Sequence, residues 1–269
     1  DPALPDLPGA HLEGPFISPD RLGAQPPHAQ RPTPERLDEL LALDVVRVAT
    51  VAPEIPGALD AVARLARAGV RVSAGHTRAD ADTTDAFLAA IAAAGGTAGA
   101  THLFNAMGGL EGRAPGTAGA VLASTDAYAE LICDGHHVAR AAAMTALRAK
   151  GRRLLLITDA IRAAATDARD TTLGGQPVRI EGGAARLADG TLAGSVLTMD
   201  RAVATLIGFG ATWPQAAYAA ATAPARYLGL DDRGALRPGL RADLVVLDPD
   251  GTVREVLRAG RTVAGDPTG

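Results

Sequence analysis

Between residues 9 and 160, short apolar runs alternate with segments of helical period, and this alternation constrains the fold more than any other feature of the chain. The runs are 9–14, 45–54, 70–77, 98–107, 128–135 and 153–160. Helix-like segments follow at 33–44, 57–69, 79–96 and 137–151. Thr33 and Pro34 open the first with an N-cap and a proline at the first helical position. The stretch 108–120 is rich in glycine and reads as a loop. Strands that alternate with helices imply a parallel sheet with crossover helices. The run Leu154–Ile157 is apolar throughout, as expected of a strand covered on both faces. No dinucleotide-type glycine fingerprint is present, and the polar residues fall at the carboxyl ends of the runs. The expected fold is therefore an α/β structure, a (β/α) barrel rather than an open sheet, with its working face where the strands end.

After residue 160 the pattern changes. Residues 171–194 read as short strands and turns, 195–210 and 212–230 as helices, and 234–263 as a small β element. The expected division is a catalytic barrel over 1–230 and a β element over 231–269.

The 269 residues, 47% hydrophobic and 21% charged, suffice for a large globular core. A net charge of -4 gives no general reason to expect nucleic acid or an anionic membrane as partner. No run reaches the roughly 18 apolar residues of a membrane span. No signal-peptide pattern opens the chain, and the single cysteine, Cys133, excludes an intrachain disulfide. A cytoplasmic protein is expected.

Four residues at strand ends combine ligand chemistry with position: Glu13 in HLEGP, His76 in SAGHT, His102 in THLFNAM and Asp159 in LLITDA. Spacing alone leaves two readings open. They could be hydrogen-bonded structural residues and helix caps. They could also share a divalent metal, with zinc, iron, manganese and cobalt all suited to oxygen and nitrogen ligands. In the second reading the metal acidifies a water and a carboxylate takes its proton. Asp159, which closes the most hydrophobic strand, is the candidate base. Other ionisable residues read as structural. His11 lies two before Glu13, His28 sits in a proline-rich loop, His136 belongs to a local loop, Asp134 orients that loop, and Cys133 is a small buried residue.

The strings HLEGPFIS (11–18), SAGHT (73–77), THLFNAM (101–107), GRAPGTAGAVL (112–122), LICDGHHV (131–138), LLITDA (155–160) and LAGSVLTM (192–199) occur in one order along the whole chain. In this combination the chain resembles the N-acetylglucosamine-6-phosphate deacetylases of the amidohydrolase superfamily. The resemblance implies a TIM-type (β/α)8 barrel of the metal-dependent hydrolase kind. It implies hydrolysis of the N-acetyl group to glucosamine 6-phosphate and acetate, with Glu13, His76 and His102 on the metal and Asp159 as general acid/base. It also implies substrate contacts from His137, from Asn105, Ala106 and Arg113 toward the phosphate, and from Ala24, Leu192, Ala193 and Gly194 toward the sugar. Arg113 in that family reaches across a dimer interface, so a homodimer is implied. The family carries a segment ahead of HLEGP that supplies the first barrel strand, often with a His-x-His pair, and strands of a β-sandwich. The barrel of this chain is accordingly expected to lack its first strand, and the β element to lack its sandwich partners. Residues 1–269 alone are expected to be poorly stable or inactive. Two other readings stay open: an amidohydrolase acting on a cyclic amide or another N-acetyl amino sugar, and a catalytically dead binding domain.

Overall fold

The computed structural model describes residues 6–265, so the outermost residues of both expected domains lie outside the described residues. Strand β1 (Ala10–Glu13) leads to helix α1 (Pro34–Ala42), and β2 (Val46–Val51) to α2 (Ala58–Arg67). Next come β3 (Arg71–Ala74), α3 (Ala81–Ala93), β4 (Ala98–Ala100), α4 (Gly116–Ala123), β5 (Ala129–Ile132), α5 (Arg140–Lys150) and β6 (Leu154–Ile157). The molecule is an α/β structure, as the alternation implied.

Strands β1 to β4 pair in parallel and in sequence order, and β5 pairs in parallel with β6. Backbone bonds join the two groups: Tyr128 N–H donates to the Ala98 carbonyl at 2.9 Å, and Ala100 N–H to the Tyr128 carbonyl at 3.0 Å. Strand β10 (Leu192–Ser195) continues the row past β6 through a parallel bridge between Ala160 and Ser195. The row curls on itself. Val48 of β2 and Leu155 of β6 pack together with Tyr227, and His11 of β1 faces Glu130 of β5.

Local chemistry explains the helices. Thr33 caps α1 and Asp80 caps α3, the latter accepting a bond from Thr83 N–H at 2.8 Å. Such a cap contributes about 1 kcal/mol. In α2 the buried positions Ala58, Ala61, Val62, Leu65 and Ala66 follow the helical repeat and face the sheet. Small residues in β4 serve a different end. A Cβ on Gly99 would stand 2.6 Å from the Tyr227 hydroxyl, which plugs the interior beneath the strand.

Two stretches differ from expectation. Residues 116–120 belong to helix α4 rather than to a loop, and Thr117 to Val121 are all buried. A helix enclosed on every side needs small residues and shows no polar face, so its sequence imitates a glycine-rich turn. A Cβ on Gly119 would come within 2.9 Å of Leu110 Cδ1. The helix expected to begin at 195 begins at Met199, because Leu192–Ser195 is strand β10.

The hairpin region expected over 171–194 is a four-stranded antiparallel sheet of β7 (Asp170–Leu173), β8 (Gln176–Glu181), β9 (Ala184–Arg186) and β10. Helices α6 (Met199–Gly208), α7 (Trp213–Ala217) and α8 (Ala223–Leu228) follow, the last two joined by a π-helical turn. The chain closes on a three-stranded antiparallel sheet of β11 (Leu244–Leu247), β12 (Val253–Arg258) and β13 (Arg261–Gly265).

Candidate metal centre and active site

Three of the four strand-end residues converge on one point. The His76 Nε2 atom lies 2.7 Å and the His102 Nε2 atom 3.3 Å from Glu13 Oε1, and the two ring nitrogens are 3.1 Å apart. Glu13 ends β1, His76 follows β3 and His102 follows β4. The turns that aim the rings are strained. His76, His102 and Asp159 have φ of 48°, 33° and 47°, in the left-handed region that side-chain-bearing residues seldom occupy. Such backbone costs of order 1–3 kcal/mol per residue and persists where the surroundings over-determine it, often at active sites.

Hydrogen bonding fixes what the ring atoms offer. His76 Nδ1 donates to the Arg21 carbonyl at 2.7 Å, so in the neutral ring its Nε2 carries the lone pair. That lone pair then meets a carboxylate oxygen, with the second imidazole nitrogen 3.1 Å away. The residues fit a divalent cation by this donor chemistry: two imidazoles and one carboxylate, with ligand atoms all within 4.8 Å of one another. Without the ion a proton must serve. Burial opposes charge on His102, but its bond to Glu13 and the carboxylates around it raise its pKa to about 8. Burial also opposes charge on Glu13, and the bonds from His102 and His76 outweigh it, holding the carboxyl far below the ordinary range.

Asp159 stands beside this cluster, and its carboxyl titrates near 6. Burial raises it first, then the Glu13 charge, against the nearby His102, His137 and His76. Its backbone carbonyl accepts from Ser195 N–H at 2.8 Å, which ties the turn to β10. His137 is held by Asp134, whose Oδ2 lies 2.6 Å from His137 Nδ1 while Oδ1 accepts from the backbone N–H of both His136 and His137.

These groups line a cavity of about 630 Å³ at the carboxyl ends of the parallel strands. Of the expected substrate contacts, Ala24, Asn105, Ala106, His137, Leu192 and Gly194 line it. Ala193 is fully buried behind the wall, and Arg113 lies on an exposed loop outside the lining. Asn105 spends its side-chain N–H on the His102 and Leu103 carbonyls, which braces the His102 turn. Sequence reasoning missed Gln25, whose amide donates to Glu13 Oε1 at 3.3 Å, and the Arg21 carbonyl that sets the His76 tautomer. A backbone carbonyl leaves no side-chain signal to read.

Comparison with known proteins identifies the family. The model of the amidohydrolase family matches residues 3–263. The N-acetylgalactosamine-6-phosphate deacetylase of Escherichia coli O157:H7 is 40% identical, over 94% of this chain and 67% of its own length. The N-acetylglucosamine-6-phosphate deacetylase of Bacillus subtilis is 38% identical, over 91% of this chain and 62% of its own. The chain thus spans about two thirds of the length of these relatives. The N-acetyl-D-glucosamine-6-phosphate deacetylase of Mycobacterium smegmatis, solved as a mutant in complex with N-acetyl-D-glucosamine-6-phosphate, superposes with a TM-score of 0.88 at 40% identity. That match covers 95% of this chain and 68% of the solved one. The chain belongs to the amidohydrolase family.

Proposed function

We propose that the protein hydrolyses the acetamide of N-acetylglucosamine 6-phosphate to acetate and glucosamine 6-phosphate. The observation that carries this reading is the convergence of Glu13, His76 and His102 beside Asp159 in one cavity. The names of the relatives support the substrate class.

Glu13, His76 and His102 would hold a divalent ion, zinc, iron, manganese or cobalt by donor type. Such an ion supplies Lewis acidity, which acidifies water and polarises an amide carbonyl. The chain's own groups do the rest. At neutral pH Asp159 is largely ionised and accepts a proton from the attacking water. The water oxygen bonds to the acetyl carbon, the carbon–nitrogen bond breaks, and Asp159 returns the proton to the departing amine. His137, braced by Asp134, faces the amide. Ala24, Leu192 and Gly194 bound the sugar through backbone, with Ala193 buried behind them, and Asn105 and Ala106 mark the phosphate end. Arg113, exposed in this chain, reaches the phosphate of a partner's site in a homodimer.

The finer architecture goes with the reading. The curled parallel row forms part of a TIM-type (β/α)8 barrel, within a catalytic domain over 1–230. The sheet of β11 to β13 is part of a β-sandwich domain over 231–269. Work in the cytoplasm suits a protein whose one cysteine is free and buried. Among the described residues no helix is long and apolar enough to cross a membrane.

One observation favours a second substrate. The Escherichia coli relative acts, by name, on N-acetylgalactosamine 6-phosphate, which differs only in configuration at one ring hydroxyl. Acetate release from both epimers tests the reading. Release from the glucosamine compound at least about tenfold faster in kcat/KM supports it, and a reversed preference assigns the galactosamine compound instead.

A further inference from the structure

The turn that aims His76 is gripped by a carboxylate that takes no part in the chemistry above. Glu54 lies in the loop between β2 and α2, half-buried and outside the cavity lining. Its Oε2 accepts from the Thr77 hydroxyl at 2.5 Å, and its Oε1 from the Arg78 backbone N–H at 2.7 Å. One side chain thus binds both residues that follow His76. Thr77 is fully buried, and its Oγ1 also accepts from the Ala79 N–H at 2.9 Å. The single hydroxyl proton is therefore directed at Glu54.

Other bonds locate the same turn. Ser18 N–H donates to the His76 carbonyl at 2.9 Å, Thr77 N–H to the Ala106 carbonyl at 3.0 Å, and the ring Nδ1 to the Arg21 carbonyl at 2.7 Å. These are bonds to neutral carbonyls, whereas Glu54 adds two bonds to a carboxylate, a stronger acceptor. Arg78 Nη1 also reaches Asp20 at 2.8 Å, but both side chains are more than half exposed, and such pairs contribute little. The His76 φ of 48° persists only where the surroundings over-determine it. Without the Glu54 bonds, residues 77 and 78 can relax, and the Nε2 lone pair turns away from the Glu13 and His102 atoms it faces at 2.7 and 3.1 Å. Loss of a partner that orients a ligating histidine commonly costs about 10- to 100-fold in metal affinity.

We infer that Glu54 is a positioning residue of the metal centre: by clamping the Thr77 hydroxyl and the Arg78 N–H it holds the His76 imidazole in its strained ligating orientation. The inference rests on the proposed metal centre and not on the choice of substrate. Glu54 touches neither the ion nor the sugar and acts through His76.

The test uses the full chain, stripped of metal and titrated with cobalt(II), an ion suited to this donor set. Affinity is read by competition with a chelator, ligand geometry by the visible absorption of bound cobalt, and metal-free stability by denaturant titration. Glu54→Gln and Thr77→Val should each weaken cobalt binding at least about tenfold and alter the visible spectrum. The double variant should lose little more than either single, because both break one shared bond. Thr77→Ser keeps the hydroxyl and Arg78→Ala keeps the N–H, so both should stay within about threefold of wild type in affinity. In the cobalt-loaded protein, Glu54→Gln should lower kcat by about tenfold with little change in KM, since it touches no substrate. Cobalt affinity and spectrum that stay as in the wild type in Glu54→Gln and Thr77→Val overturn the inference and leave the metal centre standing. A fall in metal-free stability with the affinity of the folded protein intact overturns it as well, since that marks a structural role. A wild type that binds no cobalt overturns both the inference and the metal centre.

Discussion

Two Glu–His clusters lie one layer apart in the parallel row, and they behave in opposite ways. At the mouth, Glu13 lies 2.7 Å from His76 and 3.3 Å from His102. Beneath it, Glu130 Oε2 lies 3.9 Å from His11 Nδ1. In the upper pair contact overcomes burial: the carboxyl is driven down and His102 is raised to about 8. In the lower pair burial wins. Glu130 is pushed up to about 8 and His11 down to about 4, so both are neutral near pH 7. Hydroxyls serve the lower groups only in part, and Glu130 Oε2 is buried without a hydrogen-bond partner among the described residues. Ser73 donates to Glu130 at 3.2 Å, and His11 Nε2 bonds the Thr50 hydroxyl at 2.8 Å. Residue type does not distinguish the pairs; about an ångström of separation and the strained turns at His76 and His102 do.

The largest expected effect falls on the upper pair. Glu13→Gln should remove the bound divalent ion, seen by elemental analysis, and lower kcat/KM by about a thousandfold or more. Retention of a stoichiometric ion with full activity would sink the assignment. Asp159→Asn comes next. It should keep the ion and lower kcat by about a thousandfold, since the proton acceptor is lost. In the wild type, kcat should fall as pH drops through or below about 6, where Asp159 gains its proton. The added charge of the ion moves this limb lower. An acid limb that persists unchanged in the residual activity of Asp159→Asn belongs to another group.

The lower pair should show in stability rather than rate. The folded Glu130 carboxyl titrates near 8, above its usual 4.5, so between those values the folded state holds the extra proton. Its contribution is present at low pH and is lost as pH rises through 8. His11, depressed to about 4 from 6.5, acts in the opposite sense below pH 6.5, so the clean window lies above it. Glu130→Gln should therefore gain on wild type between pH 6.5 and 8.5, by on the order of 1–3 kcal/mol in denaturant titrations, with the metal retained. A difference flat across that window would mean that Glu130 does not titrate there. The smallest effect is expected for His11→Gln, with kcat/KM within about threefold of wild type. A hundredfold loss would place His11 in the chemistry and erase the contrast between the layers.

Much of the upper site is legible in the amino-acid sequence. Glu13, His76, His102 and Asp159 stand where apolar runs end, and the parallel strands bring such ends to one face. The parallel strands are legible for the same reason, because runs such as Leu154–Ile157 are buried on both faces. Helix α4 is not legible, since a helix buried all round lacks the amphipathic period by which helices are recognised. The left-handed turns at His76, His102 and Asp159 are equally hidden, because they are imposed by packing and not by glycine at those positions. Arg113 matches a phosphate-binding motif, yet its side chain lies outside the cavity, while Arg21 and Arg162 line it without belonging to any recognised string. Neither is a residue that motif or period could single out.

The most direct test of the central claim is acetate release from N-acetylglucosamine 6-phosphate, measured before chelation, after it, and after a divalent ion is restored. The site geometry predicts loss on chelation, recovery in the wild type, and no recovery in Glu13→Gln. Undiminished release from the chelated protein, or full recovery in Glu13→Gln, would contradict it.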